Sequence, residues 1–409
     1  MMHILLIHQA FASIDEPGGT RHHEFARFLA ARGDKVTVIT SPVSYLTGGL
    51  PDANSFSGNN PAEPGGVEIL HARTYPALHS SFFQRILAFV SFMVSSFFMG
   101  LRVRKVDLVW GTSPPIFQGL TAWMLARLKR VPFLFEVRDL WPDFAVAVGV
   151  LHNPTLIRLS LWLEHFLYRR ADLVMVNSPG YLDHVTAGGA RRVEFLPNGA
   201  DPAMFTPLDR GASFRSANGL EDKFVVLYAG AHGLSNDLGV VLEAAAILQG
   251  QPATAAVTIV LLGDGKDKPN LQKQAAAMKL ANVRFLPPVP KTEMAAVLAG
   301  ADACLAILKP VDAYKTTYPN KVFDYMAAGR PVVLAIDGVI REVVEAAGCG
   351  VFIQPGDPAA LAGVIGSLAG DPEQARAMGL RGPAYLEQHF NRSVLAEKLA
   401  GILEDMTGQ

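Results

Sequence analysis

The sequence predicts an α/β protein of two domains, each built around a mostly parallel β-sheet. A chain of 409 residues, 50% of them hydrophobic, is too long for one core and indicates two or three domains. Two segments open with the same order of elements. Later strand-like runs are each separated by helical or loop sequence, which favours parallel pairing in both halves.

Both opening segments run strand, glycine-containing turn, helix, strand. In the first, these elements are residues 3–8, a turn with Gly18 and Gly19, residues 20–31 and residues 36–40. In the second, they are residues 224–229, a turn with Gly230 and Gly233, residues 238–248 and residues 257–262. Glycines at a strand-to-helix turn are typical of the place where doubly wound sheets bind phosphate. Neither turn carries a G-x-G-x-x-G fingerprint, so dinucleotide binding is not indicated.

Further strands are predicted at residues 108–110, 133–137, 173–176, 193–196, 283–285, 303–306, 332–334 and 351–353. The turn-rich sequence 197–202 indicates a domain boundary, which divides the chain into residues 1–200 and 201–385. We expect the remaining residues, 386–409, to form a helix that packs back across both domains. Residues 45–66, rich in Gly, Pro, Ser and Asn, predict a long surface loop.

Composition excludes some classes of function and leaves others open. A formal net charge of −1 argues against a nucleic-acid-binding protein, which normally has a strong basic patch. A mean hydropathy of +0.24 is high for a soluble enzyme and is compatible with contact between apolar surface and a membrane. Cys304 and Cys349 match no metal or redox spacing, so we expect core thiols in a reducing cytoplasm.

The longest uncharged apolar run covers residues 86–101 and has basic residues on both flanks. At 1.5 Å per residue it falls short of the roughly 30 Å hydrocarbon core, so it predicts a helix that is either buried in its domain or dips into one leaflet. Its phenylalanines and basic flanks favour the second. Because the sequence opens directly on a strand, we expect no cleavable signal peptide and a cytoplasmic location.

Residues 319–333 carry the clearest ligand signal. Lys321 and Asp324 lie three residues apart at the start of a short apolar helix that Gly329 and Pro331 end. The two side chains share a helical face, beside first-turn N–H groups that carry a partial positive charge. This arrangement suits a nucleotide, with phosphates near Lys321 and ribose hydroxyls on Asp324. The alternative is an ordinary helix with a solvated lysine and a first-turn acid.

In the N-terminal half, Glu136, Arg138 and Asp139 mark the carboxyl end of a predicted strand, where open α/β sheets place ligands. The alternative is an ion pair between Arg138 and Asp139 that holds the following loop. Gly18 and Gly19 would allow a close backbone approach to a ligand.

Several short motifs occur together and in order: Gly18-Gly19-Thr20-Arg21-His22, Ser113-Pro114-Pro115, Arg138-Asp139-Leu140-Trp141-Pro142, Pro197-Asn198-Gly199, Tyr228-Ala229-Gly230, Gly263-Asp264-Gly265 and the segment 319–331. In this order and spacing they resemble the GT-B glycosyltransferases of family 4, in particular the bacterial branch that makes O-antigen, capsule or exopolysaccharide. The resemblance spans nearly the whole chain. It implies two Rossmann-like domains facing across a cleft, a sugar-nucleotide donor on the C-terminal domain and an acceptor on the N-terminal domain. It also implies retention of anomeric configuration without a metal or other cofactor.

The resemblance assigns roles to particular residues, with some departures. Asp324 takes the place of the second acid of the family's late motif, but Thr316 stands where the first acid belongs. Sugar recognition would then fall to the Thr316 hydroxyl, Thr317 or the backbone amides from Tyr318 to Lys321. Ala231 and Asn236 stand where many members carry an Arg and a Lys on the diphosphate. The donor-site residues implied are Asp324, Lys321, Gly230, His232, Gly233, Lys268, Thr316, Thr317, Pro319 and Asn320.

In the N-terminal domain, Arg138 takes the place of a family histidine that contacts the donor sugar, with Asp139 beside it. Catalytic roles are expected for Arg138, Asp139, Lys321 and Glu136. The loop toward acceptor or diphosphate is expected to comprise Gly18, Gly19 and His22.

The function that follows is transfer of a sugar, expected to be an N-acetylated amino sugar, from a UDP-sugar to a polyprenyl-diphosphate-linked acceptor. The enzyme would sit on the cytoplasmic face of the inner membrane through residues 82–105, peripherally or monotopically. Two alternatives remain: a UDP-sugar epimerase of GT-B fold, and a catalytically degenerate partner protein in a polysaccharide assembly complex.

Overall fold

The computed structural model describes residues 1–43, 66–76 and 82–408. The loop predicted at residues 45–66 lies, except for Gly66, outside the described residues. The chain divides into two compact units. Unit 1 comprises Met1–Ile14, Gly18–Pro197 and Ser393–Gln409, and unit 2 comprises Asp15–Pro17 and Asn198–Arg392.

Within the described residues, unit 1 contains a seven-stranded parallel sheet with helices between its strands. Its elements are β1 (His3–Ile7), α1 (Arg21–Ala31), β2 (Lys35–Thr40), β3 (Val67–His71), α2 (Phe82–Arg102), β4 (Leu108–Thr112), α3 (Phe117–Lys129), β5 (Phe133–Val137), α4 (Asp143–Ala147), α5 (Pro154–Arg170), β6 (Leu173–Val176), α6 (Leu182–Ala187) and β7 (Val193–Phe195). The strand order is β3-β2-β1-β4-β5-β6-β7. The order changes direction between β1 and β4, the point where open α/β sheets bind ligands.

Unit 2 contains a six-stranded parallel sheet in the described part of the chain. Its elements are α7 (Ala212–Ala217), β8 (Phe224–Ala229), α8 (Leu238–Gln249), β9 (Val257–Leu262), α9 (Lys268–Ala277), β10 (Val283–Leu286), α10 (Lys291–Ala299), β11 (Ala303–Ile307), α11 (Asn320–Ala327), β12 (Val332–Ala335), α12 (Val339–Ala347), β13 (Gly350–Phe352), α13 (Pro358–Gly370), α14 (Pro372–Gly379) and α15 (Gly382–Phe390). The strand order is β10-β9-β8-β11-β12-β13, and its direction changes between β8 and β11.

Both sheets are covered on both faces, which explains why their central strands read as continuous apolar runs. All residues of β1, β4, β5 and β8 are buried. The prediction of two α/β domains with parallel sheets is confirmed.

The last helix, α16 (Arg392–Thr407), belongs to unit 1 although the chain reaches it from unit 2. Its apolar side chains, including Leu399 and Leu403, join the core that β1 and α1 form on one face of the seven-stranded sheet. Unit 1 is therefore completed by the last residues of the chain.

Helix α2 extends beyond the predicted apolar run. Its segment Gln84–Arg102 has a mean hydropathy of 1.5 and is long and apolar enough to cross a membrane, by length and composition alone. Ala88 and Phe92 are buried in unit 1, whereas Val94 and Phe98 are exposed. The helix thus has one face in the core and an apolar face outside it.

Candidate active site

Lys321 lies at the start of α11 in unit 2 and is partly buried. Its Nζ is 3.8 Å from the centroid of the Tyr228 ring. A Cβ at Gly230, where φ is +147°, would come within 2.7 Å of that Nζ. Gly230 therefore leaves room for the lysine side chain. Burial lowers the pKa of Lys321 to about 7, because a desolvated ammonium is less stable than one in water.

The two glycine turns that follow β8 and β9 pack directly against each other. A Cβ at Gly263 would lie 1.9 Å from the carbonyl oxygen of Gly230, and one at Gly265 would lie 2.6 Å from that of His232. The His232 amide donates a hydrogen bond to the Asp264 carbonyl at 2.8 Å. The turn that carries the predicted site residues Gly230 and His232 is thus packed against the turn after β9. A residue larger than glycine at position 263 or 265 would prevent this packing.

Lys268 has its ammonium engaged in this turn. Its Nζ donates to the carbonyl oxygens of Gly263 at 2.7 Å and of Leu286 at 3.3 Å. Lys268 therefore stabilises the backbone of the turn after β9. The side chain could meet a phosphate only in addition to, or in place of, these contacts.

His232 is fully buried beside Lys321. Its ring lies 6.0 Å from that of Tyr228 and 6.2 Å from that of Phe285. Neither ring nitrogen has a hydrogen-bond partner among the residues that the structure describes. Burial, followed by the nearby cations Lys268 and Lys321, lowers the pKa of His232 to about 4. A neutral imidazole at this place can donate to or accept from a ligand.

Asp324 does not lie open to a ligand. Lys291 Nζ, at the start of α10, is 2.6 Å from Asp324 Oδ1, and the same ammonium is 5.5 Å from the Phe205 ring centroid. Lys321 and Asp324 therefore share a helix but contact different neighbours, one beside β8 and the other at α10. A ribose hydroxyl would have to share the carboxylate with Lys291.

The remaining predicted donor residues precede and begin α11. The Thr316 and Thr317 hydroxyls donate to the carbonyl oxygens of Ala313 at 2.7 Å and Tyr314 at 2.9 Å. Asn320 Oδ1 accepts from Arg392 Nη2 at 3.4 Å. Pro319 is the N-cap residue of α11 and no side chain caps the helix. The Val322 amide donates to the Pro319 carbonyl at 3.2 Å, so the amides of Asn320 and Lys321 are the ones placed to bind an anion. Gly233 adopts an extended conformation just before a short turn.

In unit 1, Glu136 is buried between two side chains from the start of α1. Its Oε1 is 3.2 Å from Arg21 Nε and its Oε2 is 2.5 Å from His22 Nε2. Burial opposes ionisation, but His22 and Arg21 outweigh it and hold the pKa of Glu136 well below its usual range. Both carboxylate oxygens are engaged, which disfavours a role for Glu136 as a covalent nucleophile.

Arg138 and Asp139 follow directly and do not pair with each other. Arg138 Nε donates to the Ser113 carbonyl at 2.8 Å. Burial raises the pKa of Asp139 to about 6, although Arg138 partly offsets this. Asp139 is therefore a carboxyl group that can exchange a proton close to neutral pH.

The glycines of the first turn differ in their surroundings. A Cβ at Gly18 would lie 2.8 Å from Ala12 Cβ, whereas one at Gly19 would have no heavy atom within 4 Å. Gly18 is thus required by the packing of its own loop, and only Gly19 borders open space.

Sequence reasoning missed His8, Arg21, Tyr228 and Lys291. His8 lies at the carboxyl end of β1, as Glu136 and Arg138 lie at the carboxyl end of β5. The rule that identified those two residues could therefore have found His8 as well. Arg21 and Tyr228 lie within two of the motifs named above but were given no role of their own, and Lys291 carries no motif that distinguishes it from the other residues of α10. The described residues contain no group of three or more His, Cys, Asp or Glu side chains that could hold a metal ion.

Two families of known proteins match the chain. Residues 18–199 match the family described as a glycosyl transferase 4-like domain, and residues 223–371 match the glycosyl transferases group 1. The Escherichia coli (strain K12) protein WcaI, named as a colanic acid biosynthesis glycosyl transferase, is 26% identical over 77% of this chain and 78% of its own length. A D-inositol 3-phosphate glycosyltransferase of Streptomyces scabiei (strain 87.22) is 27% identical over 89% of this chain and 81% of its own length.

Solved structures show the same fold over the full chain. Sucrose-phosphate synthase from Thermosynechococcus elongatus matches with a TM-score of 0.78 at 19% identity, over 100% of both chains. Anabaena HepE, solved in complex with UDP and glucose, matches with a TM-score of 0.74 at 18% identity, over 99% of this chain and 100% of its own. With the two matched families covering most of its length, the chain belongs to the glycosyltransferases of the GT-B fold, with a glycosyl transferase 4-like domain followed by a group 1 domain.

Proposed function

We propose that this protein transfers a sugar from a UDP-sugar to a hydroxyl group of a polyprenyl-diphosphate-linked acceptor in the synthesis of a cell-envelope polysaccharide. The observation that carries the donor side is the partly buried, desolvated Lys321 at the uncapped start of α11, beside the neutral His232. A desolvated lysine and the amides at the start of a helix together suit a diphosphate. HepE, which shares the fold, was solved with UDP-glucose, and WcaI is named for colanic acid biosynthesis.

Catalysis is proposed to be electrostatic. As the bond between the anomeric carbon and the phosphate oxygen breaks, its electron pair leaves with UDP and positive charge develops on the sugar. Lys321 and the first-turn amides of α11 would stabilise the departing phosphate. The acceptor hydroxyl bonds to the anomeric carbon and gives its proton to a departing phosphate oxygen on the same face, with retention and without a metal. The donor sugar is proposed to be an N-acetylated amino sugar.

The acceptor is proposed to reach the enzyme from the cytoplasmic face of the inner membrane. Exposed apolar residues on α2 and α5, including Phe98 and Trp162, would lie against the lipid. The basic residues Arg102, Arg104 and Lys105 at the end of α2 suit anionic headgroups.

The test is a panel of UDP- and GDP-sugars, with and without polyprenyl-diphosphate-linked sugars. Acceptor-dependent release of UDP is expected. Isomerisation of the donor without an acceptor would instead indicate an epimerase, and absence of nucleotide binding would indicate a partner protein.

The donor site is tested by Lys321→Ala and Asp324→Ala. We expect each to weaken UDP binding, measured by calorimetry, by roughly tenfold or more, because each removes a charged hydrogen-bonding group. Lys223→Ala, a lysine at the other end of β8, is the matched control. Unchanged binding in both site variants would refute the assignment.

A further inference from the structure

Unit 1 buries several polar ring nitrogens that have no partner among the residues the structure describes. They are Nε2 of His8, Nδ1 of His22 and Nε1 of Trp110. The rings of His8 and His22 are 4.4 Å apart, and those of His22 and Trp110 are 5.3 Å apart. Buried polar groups are nearly always hydrogen-bonded, so neighbouring unsatisfied nitrogens indicate an occupant that is absent from the ligand-free chain.

His8 presents a hydrogen-bond donor. The amide N–H of Ala10 donates to its Nδ1 at 3.2 Å. That nitrogen must therefore carry a lone pair, and the proton of the neutral ring lies on Nε2. The unpartnered atom of His8 is an N–H group.

His22 presents an acceptor. Its Nε2 is 2.5 Å from Oε2 of Glu136, a carboxylate that Arg21 also contacts. An ionised carboxylate only accepts hydrogen bonds, so Nε2 carries the proton and donates it to Glu136. The unpartnered Nδ1 is therefore a lone pair, and Glu136 fixes its direction.

Both rings are neutral near pH 7. Burial is the main reason that the pKa of His22 falls to about 4 and that of His8 well below its usual value. Glu136 favours protonation of His22, but Arg138 and Arg21 oppose it. A phosphate is a poor ligand for this pair, because its oxygen would face the lone pair on His22 Nδ1. An ammonium is a poor ligand too, because it cannot accept the hydrogen bond that His8 Nε2 donates. A hydroxyl group donates once and accepts twice, so it satisfies His22, His8 and a further donor such as the Trp110 indole.

We propose that His8 and His22 form a subsite that binds one hydroxyl group of the acceptor, with Glu136 as the residue that positions His22. This inference rests on the proposed transfer reaction and assigns to the subsite a neutral, hydroxyl-bearing part of the acceptor, such as its sugar. The subsite lies in unit 1, whereas Lys321 and His232 of the donor site lie in unit 2. His8 and His22 are each only 1% exposed, so ordered water is the rival occupant.

The variants separate hydrogen bonding from packing. His8→Leu and His22→Leu remove the donor and the acceptor. His8→Gln keeps an N–H near the position of Nε2, and His22→Asn keeps an oxygen near the position of Nδ1. Because the His8 variants leave the contact between His22 and Glu136 in place, they keep the test valid if the His22 variants unfold. Thermal unfolding is measured for each.

The first readout is independent of the transfer reaction. In the ¹⁵N NMR spectrum of the full chain with labelled histidine rings, we expect the Nδ1 of His22 to be unprotonated. D-glucose, used as a hydroxyl probe, should shift that signal saturably, and the shift should be lost in His8→Leu but kept in His8→Gln. A protonated Nδ1 in the free protein would overturn the proposal. A signal that D-glucose does not move would leave water as the occupant and overturn it too.

The second readout uses the polyprenyl-diphosphate-linked sugar that supports UDP release. We expect KM for this acceptor to rise about tenfold in His8→Leu and His22→Leu and to recover largely in His8→Gln and His22→Asn. The Kd for UDP should stay within about twofold in all four variants. An acceptor KM that none of the folded variants changes would contradict the subsite. If the unmodified chain released no UDP with any acceptor, the transfer reaction would fail, and the D-glucose measurement would still decide the subsite.

Discussion

The protein desolvates the amino group of Lys321 before a ligand arrives. Its ammonium contacts the face of the Tyr228 ring, and no carboxylate contributes to its pKa, which burial alone lowers to about 7. Near neutral pH the free protein therefore holds this lysine only partly charged. A bound diphosphate would stabilise the charged form and raise the pKa again.

From this we predict that UDP binding takes up a proton above pH 7. Between the pKa of the free protein and the higher pKa of the complex, affinity should fall as pH rises, by up to about tenfold per pH unit. His232 is neutral throughout this range, because its pKa is about 4. Calorimetry at pH 7, 8 and 9 in buffers of different ionisation enthalpy measures both the affinity and the proton uptake.

Lys321→Met is the control, since methionine has a similar length and no charge. Its affinity for UDP should be low and nearly independent of pH, and the natural protein should approach it at high pH. The variant removes a desolvated charge, so we expect its thermal stability to hold or increase. An equal pH slope in both proteins would show that Lys321 is not the titrating group.

Single residues show how far sequence reasoning reaches. The position of Lys321 at a helix start follows from the local sequence, because Pro319 begins that helix and Gly329 ends it. The pairing of Asp324 with Lys291 does not, since it joins two elements that are distant in the chain. Burial, which sets the pKa of Lys321, is likewise a property of the packed unit.

Among the elements, α2 has the clearest consequence for function. Leu87, Val94, Phe98 and Leu101 are exposed at helical spacing, between 41% and 57%. Arg102 ends the helix, and Arg104 and Lys105 follow it. An apolar face with a basic end is typical of a helix that lies in the membrane interface.

We predict that Val94→Ser with Phe98→Ser weakens binding to vesicles that contain anionic lipid. Fully burying such a side chain is worth roughly 1.5–3 kcal/mol, so the double variant should lower partitioning at least tenfold. Because both side chains are exposed in the free protein, folding should be little affected. Vesicle flotation measures the effect, and higher salt should weaken the binding of the natural protein.

Val394→Ser on α16 is the matched control, since Val394 is also exposed, at 59%, but lies away from α2 in the sequence. It should leave flotation unchanged. If the control and the double variant lost vesicle binding equally, or if neither lost it, the assignment of α2 as the membrane contact would be refuted.

At this scale the sequence predicts every described strand of the two sheets except β3. β1, β5 and β8 are continuous apolar runs because they are buried on both faces. β3, at the edge of its sheet, is partly exposed, and sequence reasoning did not find it. An edge strand alternates between core and solvent and lacks the apolar run that marks a central strand.

For the whole molecule, the path of the chain matters most. It leaves unit 1 after Pro197, forms unit 2 and returns at Ser393. The turn at 197–202 made the crossing after Pro197 visible in the sequence. The return is not marked by a comparable turn, and only the packed core shows that α16 completes unit 1.

We predict that deleting residues 393–409 destabilises unit 1 and spares unit 2. The deletion removes Leu399 and Leu403, both fully buried in the core of unit 1, and truncating one such leucine typically costs about 2–5 kcal/mol.

The chain's 4 tryptophans, at positions 110, 123, 141 and 162, all belong to unit 1, so tryptophan fluorescence reports the unfolding of that unit alone. Its urea midpoint should fall sharply in the deletion and moderately in Leu399→Ala, while Val394→Ala should have little effect. UDP binding should persist in the deletion, because Lys321, His232 and Asp324 all lie in unit 2. A fluorescence midpoint that the deletion does not move would mean that unit 1 is stable without α16, and loss of UDP binding would mean that unit 2 depends on the integrity of unit 1.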